Sequence, residues 1–227
     1  MVLKIGHRGI PVLEPENTLI SFKKAIELGA DAVECDVHLS KDGEIVVIHD
    51  GTVNRTTNGK GKVSKLMYTK IESLDAGKGE KIPLLKELLD LVRDKCKLNI
   101  EIKDIHATEK VLDLIENEDW SKIILSSSKL KVLFDIRKRN KIITTSLIFW
   151  STRIPFKVKR LFDRALRTEV NAISLSKELA TKSLISKLHQ KNLKVYVWTV
   201  NKKKVIRKLV ERGADGIFTN DIRLFKE

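Results

Sequence analysis

Two cysteines in 227 residues, Cys35 and Cys96, are too few and too far apart for a disulfide framework or a clustered metal site. That scarcity fits a reducing compartment, and the chain reads as cytoplasmic. No run approaches the roughly 20 apolar residues that cross a bilayer. The strand-like Val2-Leu3-Lys4-Ile5 follows Met1 too closely to leave room for a signal peptide. A glycine-rich dinucleotide fingerprint and a Walker loop are both missing, as is any low-complexity linker. Aromatic residues make up 5% of the chain and are not interleaved with its lysines, so a basic nucleic-acid-binding module is a distant alternative and no nucleic-acid partner is expected. What the chain does have is charge, at 33% of residues and a net +14, together with 42% hydrophobic residues. The latter is ample for a core and excludes global disorder.

Short β-rich runs alternate with longer amphipathic stretches almost to the end. Strands are expected at 2–6, 31–38, 44–49, 98–103, 122–127, 142–148, 171–175, 193–199 and 215–219. Helices are expected at 17–29, 84–95, 107–118, 129–139, 156–167, 178–191 and 202–212. Gly29 and Gly213 sit where helices should close before the next strand. Strict alternation implies a parallel sheet. Ile45-Val46-Val47-Ile48 follows the second strand after only Lys41-Asp42-Gly43, too short a link for a crossover helix, so it reads as a hairpin added to the second unit. Residues 50–83 break the alternation and read as a small insertion. The remaining eight βα units predict an α/β fold, a (β/α)8 TIM-type barrel forming a single domain over 1–227.

The chemistry-bearing residues fall on these runs in a telling way. In Val33-Glu34-Cys35-Asp36-Val37-His38, period-2 alternation puts Glu34, Asp36 and His38 on one face and the apolar residues on the other. Two carboxylates about 4 Å apart at an effective dielectric near 20 repel by roughly 4 kcal/mol, which a bound cation would relieve. Asn99, Glu101 and Lys103 repeat the pattern in Leu98-Asn99-Ile100-Glu101-Ile102-Lys103. Three carboxylates on apolar strands are the oxygen-donor set that Mg²⁺ or Ca²⁺ selects. Barrel enzymes gather function at the C-terminal ends of strands, and that rule selects His7, Arg8, Glu34, Asp36, His49, Asp50, Glu101, Lys103 and Trp198. For individual residues the alternatives stay open: Asp50 orients His49 or caps the next loop, Lys103 meets substrate or merely offsets Glu101, Trp198 stacks on substrate or packs in the core, and His38 supports the site or fills the barrel. His106 and His189 read as surface residues.

His7-Arg8-Gly9, Pro15-Glu16-Asn17-Thr18, Glu34-Cys35-Asp36-Val37, Lys41-Asp42-Gly43, His49-Asp50, Asn54-Arg55-Thr56-Thr57-Asn58-Gly59 and Glu101-Ile102-Lys103 occur in that order. Val197-Trp198-Thr199-Val200-Asn201 and Gly213-Ala214-Asp215-Gly216-Ile217 close the series. Together they resemble the glycerophosphodiester phosphodiesterase family over nearly the whole chain. The resemblance implies a TIM-type barrel that hydrolyses glycerophosphodiesters to an alcohol and sn-glycerol 3-phosphate with one divalent cation, Mg²⁺ or Ca²⁺. It further implies Glu34, Asp36 and Glu101 as metal ligands, His7 and His49 as the acid–base pair, and Arg8 and Lys103 as phosphate contacts. Trp198 is a candidate to stack on the glycerol moiety. A lysophospholipase D-like action on lysophospholipids is the alternative within the family. After Thr219-Asn220 the chain has Asp221-Ile222 where the family often has an aromatic-proline step.

Residues 129–168 match this pattern least. They hold twelve Lys and Arg against Asp135 and Asp163, a surplus of ten positive charges. Leu147-Ile148-Phe149-Trp150 should emerge on the active-site face beside this basic stretch, a composition suited to an anionic membrane surface or an acyl chain. The competing expectation is that Phe149 and Trp150 pack beneath the loop as core.

Overall fold

Each β-rich run becomes a strand, and each 3.6-period run among the described residues a helix, in a computed structural model of the chain, which describes residues 2–149, 163 and 165–226. The strands are β1 (Leu3–His7), β2 (Ala32–Leu39), β3 (Ile45–Val47), β4 (Lys97–Ile102), β5 (Ile123–Ser127), β6 (Thr144–Phe149), β7 (Ala172–Ser176), β8 (Lys194–Trp198) and β9 (Gly216–Thr219). Eight of them pair in parallel, and β1 pairs with both β2 and β9, so the sheet closes into a barrel. The helices between them are α1 (Leu19–Glu27), α2 (Tyr68–Glu72), α3 (Leu85–Val92), α4 (Thr108–Leu114), α5 (Leu130–Arg139), α6 (Lys182–His189) and α7 (Lys203–Glu211). The fold is the expected (β/α)8 barrel. Trp150 and most of the helix expected over 156–167 lie outside the described residues.

Period-2 alternation builds two cores from one ring of strands. The outward residues of β2, Val33, Cys35 and Val37, pack with Phe22, Leu85 and Leu88 in the large shell between barrel and helices. The inward residues Ile5, Ala32, Ile124, Ala172, Tyr196 and Phe218, none more than 4% exposed, form a dry floor inside the barrel. Tyr196 and Phe218 meet edge to face at 6.5 Å. Two residues past each floor residue stands a polar or aromatic group at the next level: His7, Glu34, Ser126, Ser174, Trp198 and Asn220. The floor therefore sets the height of the site.

β3 lies outside the barrel ring. β2 runs beyond it, and β3 folds back antiparallel, pairing Val47 with Val37. This return brings His49 to the level of Asp36, where the Ile48 amide donates to the Asp36 carbonyl at 2.9 Å. His49 thus arrives from a descending hairpin arm and not from a barrel strand end. The insertion that follows has a small core of its own, in which Val53, Val63, Ile71, Leu74 and Ile82 cover Val46 and Ile48. Lys78 pairs with Glu14 at 2.8 Å and ties the insertion to the loop after β1.

Among the described residues of the basic stretch, one arginine is turned inward. Arg137 is buried and donates to the carbonyls of Glu169 and Ile143, to Thr145 Oγ1 and to the Asn171 side chain, joining α5 to the bases of β6 and β7. Arg139 pairs with Glu109 and Asp113, and Lys131 with Asp135. Phe149 is buried in the outer shell, so the expectation that it meets lipid is corrected: its strand parity turns it away from the barrel mouth. No helix among the described residues is long and apolar enough to cross a membrane.

Candidate active site

The mouth of the barrel opens into a cavity of about 750 Å³ whose walls include His7, Arg8, Glu34, His49, Glu101, Lys103 and Trp198. Asp36 lies just behind it, 1% exposed. Eight of the nine residues selected from the sequence therefore converge on one place, and the ninth, Asp50, stands behind His49. Parallel register explains the carboxylates: His7 stands beside Glu34 across β1 and β2, and Asp36 beside Glu101 across β2 and β4. One oxygen from each of Glu34, Asp36 and Glu101 lies within 4.8 Å of the others.

Two cations hold this cluster together. Arg8 donates from its backbone amide to Glu34 Oε2 at 2.9 Å, and its Nε is 3.1 Å from Asp36 Oδ2. Lys103 Nζ is 2.5 Å from Glu101 Oε1 and 3.1 Å from Asp36 Oδ1. The last two Asp36 contacts have ion-pair distance without hydrogen-bond direction, so Asp36 Oδ1 and Arg8 Nε remain without a directed partner. Arg8 is set at φ 56°, a strained conformation for a non-glycine residue. The next residue, Gly9, turns at φ 87° against α1, where a Cβ would collide with Ser21.

Burial and crowding split the three carboxyls. Desolvation, followed by repulsion from Asp36 and Glu101, pushes Glu34 well above the carboxylate range. Desolvation and the Asp36 charge raise Glu101 to about 7. Burial alone would raise Asp36 too, but Lys103, Arg8 and a hydrogen bond from Asn17 outweigh it and bring it to about 2. Three ionised carboxylates beside two cations carry a formal charge of −1, and a divalent cation would bring the cluster to +1, the sign that suits a phosphodiester anion. The all-oxygen donor set and the two protonation-prone carboxyls fit such an ion.

The two histidines are oriented by different partners. His7 Nδ1 lies 2.7 Å from Asn220 Oδ1, and burial, aided by Arg8, lowers its pKa to about 4. His49 Nδ1 lies 2.6 Å from Asp50 Oδ1, so Asp50 orients His49. His38 Nε2 lies 3.1 Å from the His49 carbonyl, which makes it a support for that loop. Trp198 packs against the aromatic floor, donates from Nε1 to the Ser174 carbonyl at 2.9 Å and also lines the cavity. His106 and His189 are exposed.

Several residues at the site have no chemical signature of their own in the sequence. Asn17, at φ 58° and 3% exposed, donates to Asp36 Oδ2 at 3.0 Å. Its signal was its place beside Glu16 in Pro15-Glu16-Asn17-Thr18. Asn99 donates to Ser126 Oγ at 3.1 Å. Asn220 is 213 residues from the histidine it touches, and no local pattern links them.

A sequence profile of the glycerophosphoryl diester phosphodiesterase family matches residues 7–224. A glycerophosphodiester phosphodiesterase from Caldanaerobacter subterraneus subsp. tengcongensis is 36% identical, over 96% of this chain and 94% of the relative. A solved glycerophosphodiester phosphodiesterase from Thermotoga maritima superposes with a TM-score of 0.86 at 30% identity, covering 99% of this chain and 97% of that one. A solved putative glycerophosphoryl diester phosphodiesterase from Silicibacter pomeroyi superposes with a TM-score of 0.91 at 25% identity, covering 99% and 91%. A hydrolase barrel with an acidic cluster at its mouth is the class these findings define. The chain belongs to the glycerophosphoryl diester phosphodiesterase family.

Proposed function

We propose that this protein hydrolyses glycerophosphodiesters, releasing an alcohol and sn-glycerol 3-phosphate. The observation that carries the reading is the convergence of Glu34, Asp36 and Glu101 with two histidines and two cations around one cavity. Glu34, Asp36 and Glu101 would hold a divalent cation, Mg²⁺ or Ca²⁺, whose charge would offset that on the phosphoryl oxygens. Arg8 and Lys103 add positive charge at the same wall and orient the phosphodiester. His7, neutral near pH 7 and fixed through Nδ1, accepts the proton of the attacking oxygen, whether water or the neighbouring glycerol hydroxyl. His49, backed by the Asp50 carboxylate, gives a proton to the departing alkoxide as its phosphorus–oxygen bond breaks. Trp198 presents an apolar face for the glycerol carbons. A cytoplasmic setting for the work is supported by two cysteines that are both free thiols.

The cavity is large within the usual range of about 300–1,000 Å³ for ligand sites. Ile148 in its wall and Phe218 in its floor are apolar, which supports a second reading, hydrolysis of a lysophospholipid whose acyl chain lies against them. A panel of glycerophosphodiesters and lysophospholipids, assayed with Mg²⁺, Ca²⁺ or excess EDTA and resolved by product mass, tests both. Release of sn-glycerol 3-phosphate that stops in EDTA is expected. Full turnover in EDTA would remove the cation from the account, and no turnover on any diester would remove the activity.

A further inference from the structure

Arg55 stands in the insertion after β3, yet its guanidinium makes contacts at the edge of the active site. It donates from Nε and Nη2 to the two oxygens of Asp50 at 2.8 and 3.1 Å. From Nη1 and Nη2 it donates to the two oxygens of Glu16 at 2.9 and 2.8 Å. Both grips are two-pronged. At its far side Glu16 Oε1 also accepts from Arg8 Nη1 at 3.0 Å, and Asp50 Oδ1 meets His49 Nδ1 at 2.6 Å. An unbroken chain of charges, Arg8–Glu16–Arg55–Asp50–His49, therefore joins the loop after β1 to the arm that delivers His49.

We propose that Arg55 is a positioning residue: by gripping Glu16 and Asp50 together it holds the His49 ring in the Nδ1–H tautomer and keeps Arg8 in register with it. The inference rests on the reading of His49 and Arg8 as groups that act on a phosphodiester. Its chemistry follows from the acceptor. An ionised carboxylate can only accept, so Asp50 requires a proton on His49 Nδ1 and leaves Nε2 as the atom that takes up a proton and then gives it to the departing alkoxide. Hydrogen bonds from Arg55 in the first place, and then from His49, keep Asp50 ionised far below the usual carboxylate range. His49 and Asp50 follow the end of β3 and have no strand partner of their own, so side-chain contacts must fix them. The base of Arg55 is itself braced, since Thr57 Oγ1 donates to the Val53 carbonyl at 2.7 Å and the Gly61 amide to Asn54 Oδ1 at 2.8 Å. The insertion thereby acts as a bracket for the catalytic arm. Only a planar fork can hold two carboxylates in this way; a lysine ammonium is a point charge without that geometry. Without Arg55, Glu16 and Asp50 lose their common partner, and the ring of His49 loses the fixed acceptor behind it.

The test uses the full chain with its histidines labelled with ¹⁵N, His49 being assigned by the signals that vanish in His49→Gln. Long-range ¹H–¹⁵N spectra report the tautomer, and steady-state kinetics with glycerophosphocholine and Mg²⁺ report the reaction. In the parent protein His49 should be the Nδ1–H form. Arg55→Ala should mix the tautomers and lower kcat by about 10–100-fold, the scale of a small misplacement at a reacting group, with KM changed less than about threefold. Arg55→Lys should not restore kcat, whereas added guanidinium should recover part of it in Arg55→Ala. Glu16→Gln, which leaves Arg55 and Asp50 in place, should give a smaller kcat loss, and unchanged circular dichroism would show that each variant folds. An unaltered His49 tautomer in Arg55→Ala overturns the proposal, as does a loss confined to KM. A parent protein inactive on every diester would instead overturn the functional reading, while the tautomer signal would still judge Arg55.

Discussion

The interior of this barrel has two arcs with the same geometry and opposite chemistry. On β1, β2 and β4, which are consecutive neighbours, the level above the floor carries His7, Glu34, Asp36, Glu101 and the adjoining Lys103. On β5, β6 and β7 the inward polar residues are serines: Ser126, Ser146, Ser174 and Ser176. The hydroxyl arc is satisfied by local pairs, with Ser146 Oγ 2.8 Å from Ser174 Oγ and Ser126 Oγ accepting from Asn99 on the neighbouring β4. The charged arc cannot. Its carboxyls repel one another and are held by Arg8 and Lys103, which leaves polar atoms without directed partners. A barrel layer is thus a neutral frame, and placing three carboxyls on two adjoining strands, β2 and β4, crowds like charge onto one side of it.

The contrast is broken most severely at the histidines. His7→Ala and His49→Ala should each lower turnover by about 10²–10⁴-fold, the usual scale for a general acid or base, with Mg²⁺ binding largely kept. Near-normal rates in both variants would reduce the charged arc to a structural feature. Single-turnover measurements separate this loss from slow product release.

Stability should then distinguish two carboxyls of the same arc. Asp36→Asn leaves the partly buried Arg8 and Lys103 with less counter-charge, and since breaking a fully buried pair costs about 3–5 kcal/mol, a loss toward the low end of that range is expected. Glu34→Gln removes a carboxyl whose ionised form is disfavoured, so the metal-free protein should hold or gain stability. Urea titrations of both variants in EDTA check the order, and an equal loss in the two would contradict the division drawn here.

Acidity gives a subtler probe. Glu101 has its folded pKa raised from 4.5 to about 7, so its contribution is fully present below about 4.5 and is lost as pH rises through about 7. Asp36 is the opposite case, with a folded pKa near 2, and its contribution is lost only as pH falls below about 4. In EDTA, the melting temperature should therefore decline between pH 5 and pH 8, and Glu101→Gln should flatten that decline. Excess Mg²⁺ should raise the melting temperature more at pH 8 than at pH 5, because the ion binds the ionised carboxylates. A Mg²⁺ effect independent of pH would show that the cluster does not bind the ion.

The smallest effect belongs to the hydroxyl arc. Ser174→Ala removes one member of a buried pair and should cost about 1 kcal/mol, with kcat within about threefold of the parent. A larger fall in kcat would mean that the serines touch substrate and that the two arcs share the chemistry.

Much of this was legible before any coordinates. The nine strands and the alternation of Glu34 with Cys35 and Asp36 could be read because a strand's period of two converts sequence directly into faces. The antiparallel hairpin was legible from a link of three residues. The partners that hold the site were not. Asn17 reaches Asp36 across 19 positions and Asn220 reaches His7 across 213, and such distances leave no periodic trace. Arg137 counted as one more basic residue in a basic stretch, although its burial against backbone carbonyls takes it out of any surface. Phe149 reads as an apolar residue at a strand end, and only the strand's parity in the closed barrel turns it outward into the helical shell.

By itself the sequence determined which residues could carry charge into the interior, how many βα units would close, and where the chain would double back, because these depend on local period and link length. Closure of the ring decided the rest. It set the register that puts His7 beside Glu34 and Asp36 beside Glu101, brought Asn220, just past the last strand, to the first strand's His7, and placed the insertion so that Arg55 spans Glu16 and Asp50. Those contacts join residues remote in sequence, and only hydrogen bonds between neighbouring strands and packing against a shared floor fix their distances.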